Sequence, residues 1–284
     1  SGSKQLKSYV QEKNLWIDEC GKILLPTSKK SCSSLELLLE RAEKNSIYAK
    51  KVHSEEILHL EPNANPVFGE GIFIPFTSVV NPKEVAISIM EDIKDLGVEV
   101  VYNSEVTNIN SKKGIVECGK SNFIGDILVN SAGLQADNIS KLSGYKTDYS
   151  FLPFKGKYWE VNNNLKMSKL LYPIPNLDLP FLGIHSVHNK LGDIYLGPSS
   201  TPVFGRENYN GIKGLSIKEA FFLLLSFATK IIFNTNGLRS LAFREIKLFS
   251  LKGVLAEAKN LMTGIEKSHF KLSNTKLGIR SQIF

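Results

Sequence analysis

Five histidines, three cysteines and one turn of small residues are where this sequence could do chemistry. The histidines are His53, His59, His185, His188 and His269, and none makes an HExxH or cysteine-pair pattern. No metal site is therefore expected. His185-Ser186-Val187-His188 has spacing three, which on a strand sends the two rings to opposite faces. His185 follows Pro180-Phe181-Leu182-Gly183-Ile184 and so lies on a mostly apolar strand. A satisfied core histidine is the default reading there; a ring facing a polar pocket is the sharper alternative. Cys20, Cys32 and Cys118 form no CxxC, so inert thiols in a reducing compartment are expected. No nucleophile elbow supports Ser-His-Asp catalysis.

Phosphate chemistry would need backbone amides that a glycine-rich turn brings close to the anion. No GxGxxG or P-loop occurs: Gly69-Glu70-Gly71 lacks the third glycine and precedes a strand. The nearest feature is Asn130-Ser131-Ala132-Gly133-Leu134, whose small residues admit a ligand or a neighbouring backbone. Taken alone, such a stretch is more often a packing turn.

These residues must be positioned by helices and strands that the pattern outlines. Ser33 followed by Glu36 reads as a capping box opening the helix from Leu35. Asn81-Pro82-Lys83-Glu84 starts a second helix, with Val85, Ile89, Ile93 and Leu96 on one side and a stop at Gly97. Val98–Tyr102, Val106–Ile109 and Gly114–Cys118 read as β-rich, and Ile127-Leu128-Val129 as a buried strand before the Gly133 turn and a helix over Gln135–Leu142. This order suggests an α/β layer. Lys157–Val161, Pro180–Val187 and Gly192–Gly197 then suggest a second, mostly antiparallel sheet, followed by a long helix near 216–232. The expected class is α/β (α+β): an incomplete Rossmann-like lobe with a second, mostly antiparallel domain. The expected division is 1–76 as an interleaved start, 77–148 for the Rossmann-like portion, 149–270 for the second domain and 271–284 returning to the first.

With 284 residues, 42% apolar and 22% charged, the chain can bury a sizeable core, which excludes global disorder. Three cysteines exclude a disulfide scaffold. The net charge of +7 comes without any same-sign run beyond two residues, so no nucleic-acid partner is expected. The apolar run Ala220–Ala228 is flanked by Lys218, Glu219 and Lys230 and is too short to span a bilayer. A buried helix is its default reading, with a peripheral membrane contact as the alternative. Ser1-Gly2-Ser3 shows no targeting segment, and the β-prone Lys276–Phe284 stops in mid-flow, so an internal fragment is expected.

One ordered set of short motifs carries a family likeness. Leu171-Tyr172-Pro173-Ile174-Pro175, continuing through Asn176, Asp178 and Pro180-Phe181-Leu182-Gly183-Ile184-His185, resembles a YPVPD…PFLGVH segment. Gly192–Pro198 resembles a G-x-x-x-LGP strand, and Pro153–Tyr158 resembles PFRGEYY with Lys155 in place of Arg. Cys20-Gly21-Lys22-Ile23, Glu61-Pro62 and Asn81-Pro82 follow the same order. The sequence thus resembles the flavin-dependent L-2-hydroxyglutarate oxidases/dehydrogenases, within the wider glycine/D-amino-acid-oxidase-like group.

The resemblance implies FAD as cofactor, with Val106, Ser131, Ala132, Gly133 and Leu134 contacting it. It implies oxidation of L-2-hydroxyglutarate to 2-oxoglutarate by hydride transfer to the flavin, with His185 as base or polarising group. Tyr172 and Lys155 would line the substrate pocket, and Arg280, in Leu277-Gly278-Ile279-Arg280, would grip a carboxylate as a bidentate fork. An amino-acid or glycerol-phosphate oxidoreductase of the same fold is the alternative, as is a catalytically inactive fragment. The family's opening strand–GxGxxG–helix unit and its closing flavin-contacting segment find no match here. A cytoplasmic location, or association with the inner face of a membrane, is expected; the electron acceptor is open between oxygen, a quinone and a flavoprotein.

Overall fold

Lys22-Ile23-Leu24-Leu25 alternates half-buried and buried residues, with Ile23 and Leu25 fully enclosed. A strand sealed so deeply needs neighbours on both sides. It pairs parallel with Leu170–Pro173 and antiparallel with Glu70–Ile74, which pairs in turn with Lys50–His53. Gly71 makes the central approach possible, since a Cβ there would stand 2.7 Å from the Leu24 carbonyl oxygen. The computed structural model describes residues 2–145, 151–162, 165–177, 182–209, 216–235, 238–248 and 250–283.

The chain divides into two units. The first comprises 1–92, 156–200 and 240–277. Besides the sheet above it holds the antiparallel pairing of His185–His188 with Ile194–Gly197, and of Ile194–Leu196 with Trp159–Val161. Its core joins Ile23, Leu25, Leu171, Ile184, Leu196 and Val254, each enclosed almost completely. Each such side chain contributes about 1.5–3 kcal/mol by leaving water. Glu61 sits fully buried in this unit. Its carboxylate accepts from the backbone amides of Ser168 (2.6 Å) and Lys169 (2.9 Å) and from both nitrogens of Asn63. That clamp fixes the chain where it enters the Leu170–Pro173 strand.

The helix Pro82–Asp95 starts as expected: Asn81 Oδ1 accepts from the Lys83 amide at 3.1 Å, and Gly97 ends it with φ +79°. The helix expected from Leu35 forms, as Leu35–Lys44, but not with the expected Ser33 capping box. Ser28 and Ser31 form the capping box, of a short helix Lys29–Cys32, and Leu35–Lys44 follows Ser34 without a side-chain cap. Four serines lie within seven residues, 28–34, and the chain uses the first of them.

The second unit comprises 93–155, 201–239 and 278–284. Asn108–Asn110, Ile115–Cys118 and Ser121–Ile124 form an antiparallel meander. A buried Asp137 on the helix Ala136–Leu142 receives a two-pronged contact from Arg206, whose Nη2 lies 2.9 Å from Asp137 Oδ2. Burial acts to raise the Asp137 carboxyl, but the guanidinium overcomes it and holds the group below the usual carboxylate range. The long helix runs Ile217–Ile232 behind a Ser216 cap.

Two strand expectations fail in this unit. Val98–Tyr102 and Ile127–Val129 are not strands, and Ile127 and Val129 are 83% and 76% exposed. A strand exists only through a ladder partner, and among the described residues nothing pairs with either segment. The α/β class holds, with sheets that are mostly antiparallel.

Candidate active site

Register brings the first site residues together. Tyr172 stands opposite Leu24 in the parallel pair, two residues along from Lys22, while His185 begins the neighbouring antiparallel strand. The rings of Tyr172 and His185 stack at 4.1 Å with 15° between their planes. Tyr158 meets His185 edge-on at 6.5 Å, and Lys22 Nζ lies 5.3 Å above the Tyr172 ring. The structure thus unites His185 and Tyr172, expected from sequence, with Lys22 and Tyr158, which sequence reasoning did not assign. The one signal for Lys22 was its place in Cys20-Gly21-Lys22 at the mouth of an apolar run.

The electrostatics follow from enclosure. Burial, with the Lys22 charge adding to it, pushes the His185 imidazole down to about 4, against a smaller opposing effect of its hydrogen bond to Gly183. His185 is therefore neutral at pH 7. Its Nδ1 lies 3.0 Å from the Gly183 carbonyl oxygen, which can only accept, so Nδ1 carries the proton and Nε2 keeps a lone pair. Burial likewise pushes the Tyr172 hydroxyl up to about 12, which keeps it a donor, and lowers the Lys22 ammonium. A lone-pair base, a hydroxyl donor and a half-buried cation suit recognition of an oxygen-rich anion. Lys22 also lines a cleft of about 1060 Å³ with Ile17, Tyr48, Phe76 and Ser78. The Ser78 hydroxyl is buried without a hydrogen-bond partner among the described residues, a group that a bound ligand would satisfy.

The other expected residues lie in the second unit. The Lys155 ammonium donates to the carbonyl oxygens of Asn208 (2.9 Å) and Tyr209 (3.0 Å). Arg206, a second cation weighed for an anionic substrate, is held by Asp137, Glu219 and the Leu134 carbonyl. Arg280 is exposed on the strand Phe270–Ile283. Asp178, Pro180 and Phe181 lie outside the described residues.

Val106 is half-buried just before the meander. Ser131, Ala132 and Gly133 are exposed, and Leu134 is half-buried in the single 3-10 turn that precedes the helix from Ala136. Gly133 takes φ +53°, and a Cβ there would meet nothing within 4 Å. An accessible backbone of this kind, with the nearby Asp137 already neutralised by Arg206, fits the edge of a dinucleotide such as FAD. A cavity of about 510 Å³ beside it is lined by Ile109, Phe123, Leu128, Asn130 and Ser140.

Comparison with known proteins bears on the family and the fold. A family model described as FAD dependent oxidoreductase (DAO) matches residues 4–239. An L-2-hydroxyglutarate dehydrogenase of Escherichia coli (strain UMN026) is 30% identical over 214 residues, 74% of this chain and 50% of that protein. The human mitochondrial L-2-hydroxyglutarate dehydrogenase is 30% identical over 225 residues, covering 73% and 48%. The chain spans about half the length of the curated relatives it matches. Among solved structures, glycine oxidase from Geobacillus kaustophilus superposes with a TM-score of 0.70 at 16% identity, over 99% of this chain and 66% of that one. L-alpha-glycerophosphate oxidase from Mycoplasma pneumoniae, solved with FAD bound, gives 0.64 at 16% identity over 93% and 61%. These likenesses show a shared fold.

Proposed function

The chain belongs to the DAO family of FAD-dependent oxidoreductases, and on that premise we propose that it carries the substrate-handling part of an enzyme that oxidises L-2-hydroxyglutarate to 2-oxoglutarate. The family's cofactor is FAD, which when bound accepts the C2 hydrogen of the substrate as hydride. The observation that carries the reading is the stacked Tyr172–His185 pair with Lys22 over the tyrosine ring.

Each residue has a role that its surroundings allow. His185 Nε2 takes the C2 hydroxyl proton, and the Gly183 carbonyl holds the ring in the required tautomer. Burial leaves the free imidazole a weak base; a substrate carboxylate beside it raises its proton affinity as the hydroxyl proton moves. Tyr172 donates its hydroxyl hydrogen to a substrate oxygen, and Lys22 attracts a carboxylate into a site that burial has dried. By the resemblance, Arg280 would grip a substrate carboxylate; the Lys155 ammonium, which donates to two backbone carbonyls, is not given a bidentate grip. Val106 and Ser131–Leu134 would hold the dinucleotide.

The test is anaerobic. The purified chain is supplied with FAD and mixed with L-2-hydroxyglutarate, and flavin absorbance is followed. Bleaching by the hydroxy acid, slowed about a hundredfold or more in His185→Gln, is the expected result. Near-normal reduction in His185→Gln would remove the histidine from this role, and a chain that retains no flavin once unbound FAD is removed by gel filtration would remove the catalytic reading. A second reading, oxidation of an amino acid or glycerol phosphate, is favoured by the glycine oxidase and glycerophosphate oxidase likenesses. Faster bleaching by glycine or glycerol 3-phosphate would select it. Among the described residues no helix is long and apolar enough to cross a membrane. Exposed Phe221, Leu224, Leu225 and Ile232 on the Ile217–Ile232 helix suit contact with a membrane surface, where a quinone would be within reach as acceptor.

A further inference from the structure

The His185–His188 strand turns its second imidazole towards a different set of partners. His188 Nε2 lies 2.7 Å from Asp18 Oδ2, and Cys20 stands two residues beyond Asp18. One imidazole nitrogen, one carboxylate oxygen and the Cys20 sulfur all lie within 4.8 Å of one another. Cys20 and His188 are 7% and 6% exposed, whereas the Asp18 side chain is 42% exposed, so the cluster is walled on its protein side and open to solvent at one ligand. His188 Nδ1 is buried with no hydrogen-bond partner among the described residues, and the Trp16 ring meets the imidazole edge-on at 6.5 Å. Sequence spacing gave no warning of this cluster, because Asp18 and Cys20 are about 170 residues from His188.

We propose that Asp18, Cys20 and His188 form a site for a thiolate-accepting divalent ion of the zinc class, with water as fourth ligand. Bonds of about 2.0–2.3 Å to such an ion put tetrahedral donors roughly 3.5 Å apart. The Cys20 sulfur therefore needs to draw in by about 1.3 Å at most while the Asp18–His188 pair opens by about 0.8 Å, movements within reach of side-chain rotation. The mixed nitrogen, oxygen and sulfur set disfavours magnesium and calcium, which take oxygen alone, and suits zinc or its spectroscopic stand-in cobalt. On entering, the ion takes the Nε2 lone pair of a neutral His188 whose ring proton sits on Nδ1, and it displaces the thiol proton of Cys20, which leaves to solvent. Bound there, it pins the Cys20-Gly21-Lys22 turn to the histidine strand.

The experiment uses the whole chain, stripped with a chelator and titrated first with Co²⁺, then with Zn²⁺. The expected result is a thiolate-to-cobalt charge-transfer band in the near ultraviolet, lost on adding one equivalent of zinc. Cys20→Ser should abolish that band, and both Cys20→Ser and His188→Gln should weaken zinc binding at least about tenfold. Cys32→Ser, at a thiol outside the cluster, should leave both readouts intact. Absence of the band in the unaltered chain overturns the proposal without recourse to any variant. Zinc affinity unchanged in Cys20→Ser overturns it too, leaving Asp18–His188 a hydrogen-bonded pair beside an inert thiol.

Discussion

Acidification should unlock the site through His185. The imidazole is 8% exposed, and burial, aided by the Lys22 charge, moves it from an ordinary value of 6.5 to about 4. Between those two values the unfolded chain binds a proton at this position and the folded chain does not, so stability falls as pH falls. The contribution is fully present above pH 6.5. At about 1.4 kcal/mol per decade of proton affinity, roughly 2 kcal/mol is lost by pH 5 and about 3 kcal/mol by pH 4. Carboxylates lowered by partners, such as Asp137 and Asp92, act below this window, because their losses come as pH passes under the ordinary carboxylate range. Urea unfolding of the wild type and of His185→Gln, followed by far-ultraviolet circular dichroism from pH 7 to pH 4, isolates the histidine. The wild type should lose about 3 kcal/mol more than the variant across that range. Parallel curves for the two proteins would refute the buried, neutral imidazole.

Two further substitutions probe the supports of the site. Glu61→Ala leaves the amides of Ser168 and Lys169 buried without their acceptor; at about 1–3 kcal/mol each, the loss should reach roughly 3–5 kcal/mol in urea unfolding, and a loss below about 1 kcal/mol would show that the clamp is dispensable. Arg206→Met strands the buried Asp137 and should cost about 3–5 kcal/mol, whereas Arg206→Met with Asp137→Leu should recover most of it. A double variant as unstable as the single one would contradict the account of a paired buried charge.

Legibility from sequence followed the range of the interaction concerned. The Asn81 cap is local, decided within four residues, and it forms as its pattern predicts. Ser33 failed as a cap because it closes the short helix Lys29–Cys32, with helical backbone and its hydroxyl donating back to the Lys30 carbonyl. The Ile127–Val129 run carries the composition of a buried strand, yet burial belongs to the partner and not to the segment itself. At the site, Tyr172 and His185 were legible through their motif. Lys22 was not, since its position over Tyr172 is set by a parallel register that no local pattern encodes. The Asp18–His188 contact stayed hidden for the same reason.

The parallel register has a consequence in time. Lys22–Leu25 takes its partner from Leu170–Pro173, and the residues between include most of the other unit. At about 5–20 residues per second on a ribosome, the first strand waits roughly 7–30 s for the second to be made. During that interval Glu70–Ile74 can cover one edge of Lys22–Leu25, while the other stays open to whatever extended chain is nearby. Synthesis speed across residues 26–169, and chaperone cover while they emerge, should therefore affect the yield of folded protein.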